Sequence, residues 1–225
     1  VIVQTMAGAG SGFPDADYRA AGARLVATAA EVFTAAELII KVKEPQLDEC
    51  ALLRPHHILF TFLHLAAVPA IASALCESGC TAIAYETVTS PAGGLPLLRP
   101  MSVIAGRLAV QAGATALQKS QGGSGILLSG GAGKPQSNVL ILGAGVAGSN
   151  AAEVAIGMQA AVTVVDRTPA NLKRLQAQLG EQLQIAPHRN QVGLKLGTAQ
   201  PPAACATTAV AGHLVDQTFT LAAPP

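Results

Sequence analysis

The chain has 225 residues, half of them apolar, 12% charged and 3% aromatic, with a formal net charge of +1. That length suits one or two domains with a sizeable core. The sparse, balanced charge and few rings argue against nucleic acid as a partner, which asks for a basic surface and stacking platforms.

Residues 1–4 read as a strand; because the sequence opens inside it on Val1, a natural start further upstream is expected. A glycine-rich loop follows, with Asp15 or Asp17 as candidate cap for a helix over 18–23. Thr28 stands three residues before Glu31, the capping-box spacing, and opens a helix to Ala36. Residues 38–42 form the next strand. Pro45 keeps its exit extended, which puts Lys43 at the strand's C-terminal end.

The most hydrophobic window, 58–76, is interrupted by His64 and Pro69. It reads as a strand, 57–63, and then a helix, with no membrane span, signal peptide or anchor predicted. Pro69 suits a first helical turn and Gly79 a stop. A third strand, 81–85, ends at Glu86. Strand and helix alternate, so a parallel, doubly wound sheet is predicted, with Lys43, His64 and Glu86 at three successive strand ends. That edge is where open α/β sheets bind ligands. The four cysteines, Cys50, Cys76, Cys80 and Cys205, show no C-x-x-C pairing. They read as reduced packing thiols, with no metal site, and the cytoplasm is the default location.

A long helix over 102–118 looks like a connector between domains, and 119–136 is a Gly/Ser-rich loop. The stretch from Asn138 to Arg167 then carries the strongest motif. A buried strand, 138–142, runs into Gly143, Gly145 and Gly148 in G-x-G-x-x-G spacing. A helix to about Gln159 and a second strand, 161–165, follow, ending at Asp166, eighteen residues after Gly148. Gly143 permits the tight turn, Gly145 lets a pyrophosphate approach the backbone, and Gly148 lets the helix pack closely. The helix N-terminus offers amides and a positive dipole end to phosphates. A carboxylate at Asp166 accepts from the adenosine ribose and disfavours a 2′-phosphate, which argues for NAD over NADP; Arg167 is the neighbour that could accept that phosphate instead. Past Gly180 the periodicity fades, and no element is predicted there.

The strings GAGSGFPDADY, KVKEP, ILFTFLHLA, AIAYETV, LPLLRPMSVIAGRLA and ILGAGVAGSNAA resemble the alanine dehydrogenase family over about residues 1–183. The related α subunit of proton-translocating transhydrogenase shares the fold but usually departs from the Lys-Glu-Pro and Leu-His-Leu pairing. The resemblance implies an NAD-dependent enzyme that oxidises L-alanine to pyruvate and ammonia, reversibly. It implies His64 as general acid/base and Lys43 as the substrate-binding cation. Ser102 would contact the cofactor phosphates, Gly143, Gly145, Val146 and Gly148 would line its turn, and Asp166 would hold the ribose. A cytoplasmic homohexamer is implied too. The expected fold is two Rossmann-like parallel-sheet domains, both incomplete, joined by a long helix. The expected divisions are a substrate domain (1–96), connecting helix and loop (97–136), first half of the NAD domain (137–186) and an irregular tail (187–225).

Some readings stay open. Lys41 shares Lys43's strand face and competes with it. Ser102 could be a helix cap. Glu86 could be a plain strand-end acid, and His56, His57, His188 and His213 read as surface or packing residues. Relative to the family, a strand with a substrate-binding arginine ahead of Val1 and an active-site aspartate beyond the nucleotide half are missing, and Val103 replaces a usual acid. The expectation is a piece with impaired activity, its tail resembling another reading frame. The competing functions are a transhydrogenase nucleotide domain and a non-catalytic nucleotide-binding fragment.

Overall fold

The computed structural model describes residues 1–187 and 207–211. The chain divides into two compact units, Val1–Leu97 and Leu98–Pro225.

In the first unit, strand β1 (Ile2–Gln4) leads through helix α1 (Asp15–Ala20) to β2 (Arg24–Val26), which pairs with β1 in parallel. Helix α1 starts three residues before the predicted 18–23, directly after Pro14, whose extended backbone (ψ 160°) delivers the chain into the first turn. Asp15 and Asp17 therefore lie inside that turn, where negative charge suits the helix dipole, and neither caps it. Asp15 instead accepts a hydrogen bond from the Met6 amide at 2.8 Å. Helix α2 (Ala29–Ala35) opens on the capping box as predicted: Glu31 N donates to Thr28 Oγ1 at 3.3 Å and Thr28 N to Glu31 Oε2 at 2.9 Å.

The larger sheet of this unit holds β3 (Leu38–Ile40), β4 (Ile58–Thr61) and β5 (Thr81–Ala84), in that order and all parallel. A four-residue helix, α3 (Leu47–Cys50), follows β3, and α4 (Pro69–Ser78) links β4 to β5. Helix α4 has proline in its first turn and ends at Gly79 in the left-handed conformation, φ 68°, the residue type that adopts it without strain. The strands are shorter than predicted, yet ladder-like bonds continue beyond them. Lys41 N donates to Phe60 O at 3.2 Å and Phe62 N to Val42 O at 3.3 Å. The two chains thus still run side by side as they reach Lys43 and His64.

The core of this unit gathers Phe33, Ile39, Leu53, Leu59, Leu63, Ile71 and Leu75 around β4. Leu59 is wholly buried, which is worth about 1.5–3 kcal/mol against exposure. Thr61, equally buried, satisfies its hydroxyl by donating to Lys43 O at 2.8 Å. His57 is 2% exposed. Its Nδ1 accepts from Arg54 N at 3.0 Å, and its ring lies edge-on to Phe33. His56 is exposed, while His188 and His213 lie outside the described residues. Cys50, Cys76 and Cys80 are free; Cys50 is buried, but Cys76 sits on an exposed position of α4 and packs little, and Cys205 lies outside the described residues.

In the second unit, α5 (Arg99–Ala116) precedes β6 (Asn138–Leu142), α6 (Val146–Gly157), β7 (Ala161–Asp166), α7 (Pro169–Leu179), β8 (Leu183–Pro187) and β9 (Thr207–Ala211). The sheet order is β8-β7-β6-β9, all parallel. The winding runs outward from β6 through β7 to β8 and then back to β6's other side, so the glycine turn leaves β6 where the strand order reverses. That is the ligand-binding position of doubly wound sheets. Strand β9 falls inside the stretch expected to be irregular. Five residues are too few to show a period alone, and the β6 backbone supplies the partners that make them a strand. The helix expected as a connector packs along α6 within this unit: a Cβ on Gly106 would lie 2.1 Å from Ala147 O. Ile141, Ala151, Ala152, Ala155, Val164 and Leu175 are wholly buried, and the alanine face of α6 brings it close to the sheet. No helix among the described residues is long and apolar enough to cross a membrane.

Two stability predictions follow from this packing. Gly106→Ala forces α5 off α6 and should lower the unfolding free energy of the second unit by about 3 kcal/mol, read from urea denaturation. Burial pushes the His57 imidazole below its ordinary 6.5, with the nearby His56 charge adding to the effect. A depressed folded value means stability is complete above about 6.5 and is lost as pH falls through that value. The first unit's urea midpoint should therefore drop between pH 7.5 and 5, and His57→Asn should flatten that slope.

Candidate functional site

The first unit brings chemistry to the C-terminal ends of β3, β4 and β5. Lys41 is bound to Glu49 of α3 in an ion pair. Lys43, two residues on, is exposed and makes no side-chain hydrogen bond or ion pair among the described residues. Of the two competing lysines, only Lys41 is ion-paired among the described residues.

His64 follows β4 and is held in the left-handed region, φ 47°, an uncommon conformation for a residue with a side chain. Its ring is 35% exposed, stacks on Phe62 with centroids 5.7 Å apart, and turns Nδ1 to Glu44 Oε2 at 3.3 Å. Nε2 makes no hydrogen bond among the described residues. Glu44 is held below the ordinary carboxylate range, first by its own backbone N–H and then, against the opposing effect of burial, by His64 and Lys43. Glu86, just past β5, accepts from His64 N at 2.8 Å and from Leu63 N at 3.1 Å. Glu44 had no role in the sequence reading although it sits inside KVKEP, and Glu86 was set aside. Neither partner is visible without the sheet, because they lie 20 and 22 residues from His64.

The second unit builds a glycine turn between β6 and α6. Gly143 has φ 104° and donates to Val165 O at 2.7 Å. A Cβ on Gly148 would come within 1.8 Å of Gly143 O, so the helix start can rest on the turn only with glycine there. Gly145, with φ −73°, precedes Val146, the first helical residue. The first intrahelical bond across the turn, Ser149 N to Gly145 O, measures 2.9 Å; the amides before it have no partner within the helix and form an anion-binding end.

Asp166 reaches this turn. Its Oδ2 accepts from Ala144 N and its Oδ1 from Thr168 N, both at 2.6 Å. Burial alone would raise its pKa, but donors led by the Ala144 and Thr168 amides outweigh burial and hold it below the ordinary value. The carbonyl of Ala144 accepts from Arg174 of α7 at 3.0 Å and from Ser149 at 3.2 Å. Ala144, inside the glycine turn, is therefore held through both its N–H and its carbonyl. Arg174 was not foreseen, and Arg167 is exposed.

Ser102 lies one turn inside α5, its amide donating to Leu98 O at 3.0 Å. Leu98 occupies the cap position, so the capping alternative for Ser102 falls away. Its hydroxyl makes no hydrogen bond among the described residues. The glycine turn, the helix start and the acid at the next strand end, which the sequence predicts from Gly143, Gly145, Val146, Gly148 and Asp166, thus lie together in the second unit.

Comparison with known proteins extends this picture. Residues 1–105 match the family described as "Alanine dehydrogenase/PNT, N-terminal domain", and residues 109–217 its "C-terminal domain". An alanine dehydrogenase of Halomonas elongata is 56% identical over 175 residues, covering 78% of this chain and 47% of its own length. The alanine dehydrogenase of Bacillus subtilis is 44% identical over 225 residues, covering 96% of this chain and 59% of its own. Among solved structures, an L-alanine dehydrogenase superposes with TM-score 0.72 at 45% identity, covering 84% of this chain and 52% of the other. A transhydrogenase from Sinorhizobium meliloti superposes with TM-score 0.63 at 30% identity, covering 83% and 54%. The chain spans about half the length of the curated relatives it matches. With relatives this similar across most of its residues, the chain belongs to the alanine dehydrogenase/PNT family.

Proposed function

We propose that this chain is part of an NAD-dependent L-alanine dehydrogenase that interconverts L-alanine with pyruvate and ammonia. The observation that carries the reading is the placement of Lys43 and His64 at neighbouring strand ends of the first unit: among the described residues the Lys43 side chain makes no hydrogen bond or ion pair, and the His64 ring is engaged through Nδ1. The lysine ammonium neutralises the substrate carboxylate and favours charge developing on a carbonyl oxygen. An imidazole can both accept and donate a proton, so His64 takes and returns the protons as water adds to the imine of the substrate. Bound NAD would supply the hydride acceptor.

On the nucleotide side, Gly143, Gly145, Val146 and Gly148 cradle the pyrophosphate, Ser102 adds a hydroxyl to the phosphates, and Asp166 accepts from the ribose. The charge of Asp166 favours NAD over a 2′-phosphorylated cofactor. A cytoplasmic homohexamer is part of the same proposal. The transhydrogenase reading is weaker on the comparison above, where the alanine dehydrogenase superposes better and at higher identity.

The test uses the protein as expressed from its own gene. His64→Ala should lower NADH formation from L-alanine, followed at 340 nm, by about 10²–10⁴-fold, with NADH binding kept; full activity would reject the assignment. Gly148→Ala should weaken NADH binding tenfold or more, read by the fluorescence of the reduced nicotinamide. Absence of alanine turnover in a protein that still binds NADH would favour the transhydrogenase reading.

A further inference from the structure

Two carboxylates converge on a single residue in the first unit, each from a different strand end. Glu86 spans Leu63 N (3.1 Å to Oε1, 3.3 Å to Oε2) and His64 N (2.8 Å). These amides follow the end of β4 and the ladder-like bond from Phe62 N to Val42 O. Bonds from backbone N–H to an ionised carboxylate are among the stronger ones. They close on the residue whose backbone sits at φ 47°, a conformation that persists only where its surroundings over-determine it. Glu44 Oε2 then lies 3.3 Å from Nδ1 of that residue's ring, while Phe62 stacks on it at 20° to its plane.

We propose that Glu86 and Glu44 are positioning residues for His64, Glu86 setting its backbone and Glu44 its ring. The role of His64 itself rests on the dehydrogenase reading; its restraint does not. A carboxylate beside Nδ1 holds the proton there and leaves the lone pair of Nε2 facing outward, the tautomer a general base needs. Glu86 prevents the turn from relaxing to an ordinary backbone conformation, which would swing the ring away from Glu44. A solvated strand-end acid would do neither.

The experiment compares Glu86→Gln, Glu44→Gln and each combined with His64→Ala in the protein as expressed from its own gene. Two quantities are read: steady-state kcat with KM for NAD, and the long-range proton–nitrogen spectrum of the His64 ring in labelled protein, assigned by its loss in His64→Ala. Each single variant should lower kcat about 10–100-fold with KM for NAD unchanged. Neither should slow the reaction further once His64 is alanine, and Glu44→Gln should shift the ring from the Nδ1–H to the Nε2–H tautomer. Should Glu86→Gln fail to fold, Glu86→Asp keeps the charge one methylene short and should show the same fall in kcat. The proposal is overturned if the variants leave kcat and the ring spectrum as they were. It is equally overturned if they slow the His64→Ala protein by the same factor, which is what a general structural role produces. If His64→Ala alone is fully active, the dehydrogenase role of His64 fails, and the ring spectrum still decides whether the two acids hold it.

Discussion

The second unit is built around a place with no room for a side chain. The start of α6 sits against the carbonyl of Gly143 so closely that a Cβ on Gly148 would overlap it, and α5 sits against Ala147 with the same intolerance at Gly106. Two neighbouring residues of one helix are thus seated against backbone on both sides. Interiors packed at this density transmit displacement, so the helix start, the glycine turn and the β6 strand end form one rigid piece. Ala144 lies at its centre, its N–H on Asp166 and its carbonyl on Ser149 and Arg174. The acid expected to meet a ribose already ties the end of β7 to the turn, and this second task helps keep it ionised.

The first unit reaches precision differently. Its strand ends carry long side chains, and order comes from charge-assisted hydrogen bonds. Each acid of the cluster has a distinct partner: Glu49 takes Lys41, Glu44 meets the His64 ring, and Glu86 takes the His64 backbone. The effect is selective. Lys41 is paired with Glu49, whereas the Lys43 side chain makes no hydrogen bond or ion pair among the described residues, although both leave β3 on one face. Thr61 contributes beneath, since its buried hydroxyl fixes the carbonyl of Lys43 and with it the direction of the strand exit.

Local signals were read well wherever the chemistry is local. The Thr28–Glu31 capping box, Pro69 and Gly79 bounding α4, and the glycine spacing after β6 all work through neighbours a few residues away. The readings that missed depended on distant partners. Strands β2 and β9 are three and five residues long, too short for a period, and exist because β1 and β6 offer them backbone groups. The packing of α5 on α6 likewise depends on a distant partner, since Gly106 meets Ala147. The Ser102 cap failed because α5 begins at Arg99, ahead of Pro100, where proline is tolerated in the first turn.

By itself, the sequence determined the alternation of strand and helix, the parallel sheets that alternation requires, the glycine turn, and the arrival of Lys43, His64 and Glu86 at strand ends. These follow from backbone sterics and periodicity, which act within a few residues. Only the tertiary structure decided which lysine pairs with Glu49, which acid faces the imidazole and which its amide, and that Arg174 reaches the turn from α7. Those choices rest on distances of a few ångströms between groups 8 to 30 residues apart in the chain. Hydrogen bonds and ion pairs weaken steeply over such lengths, so the register of the sheet, and not the order of the residues, selects the partners.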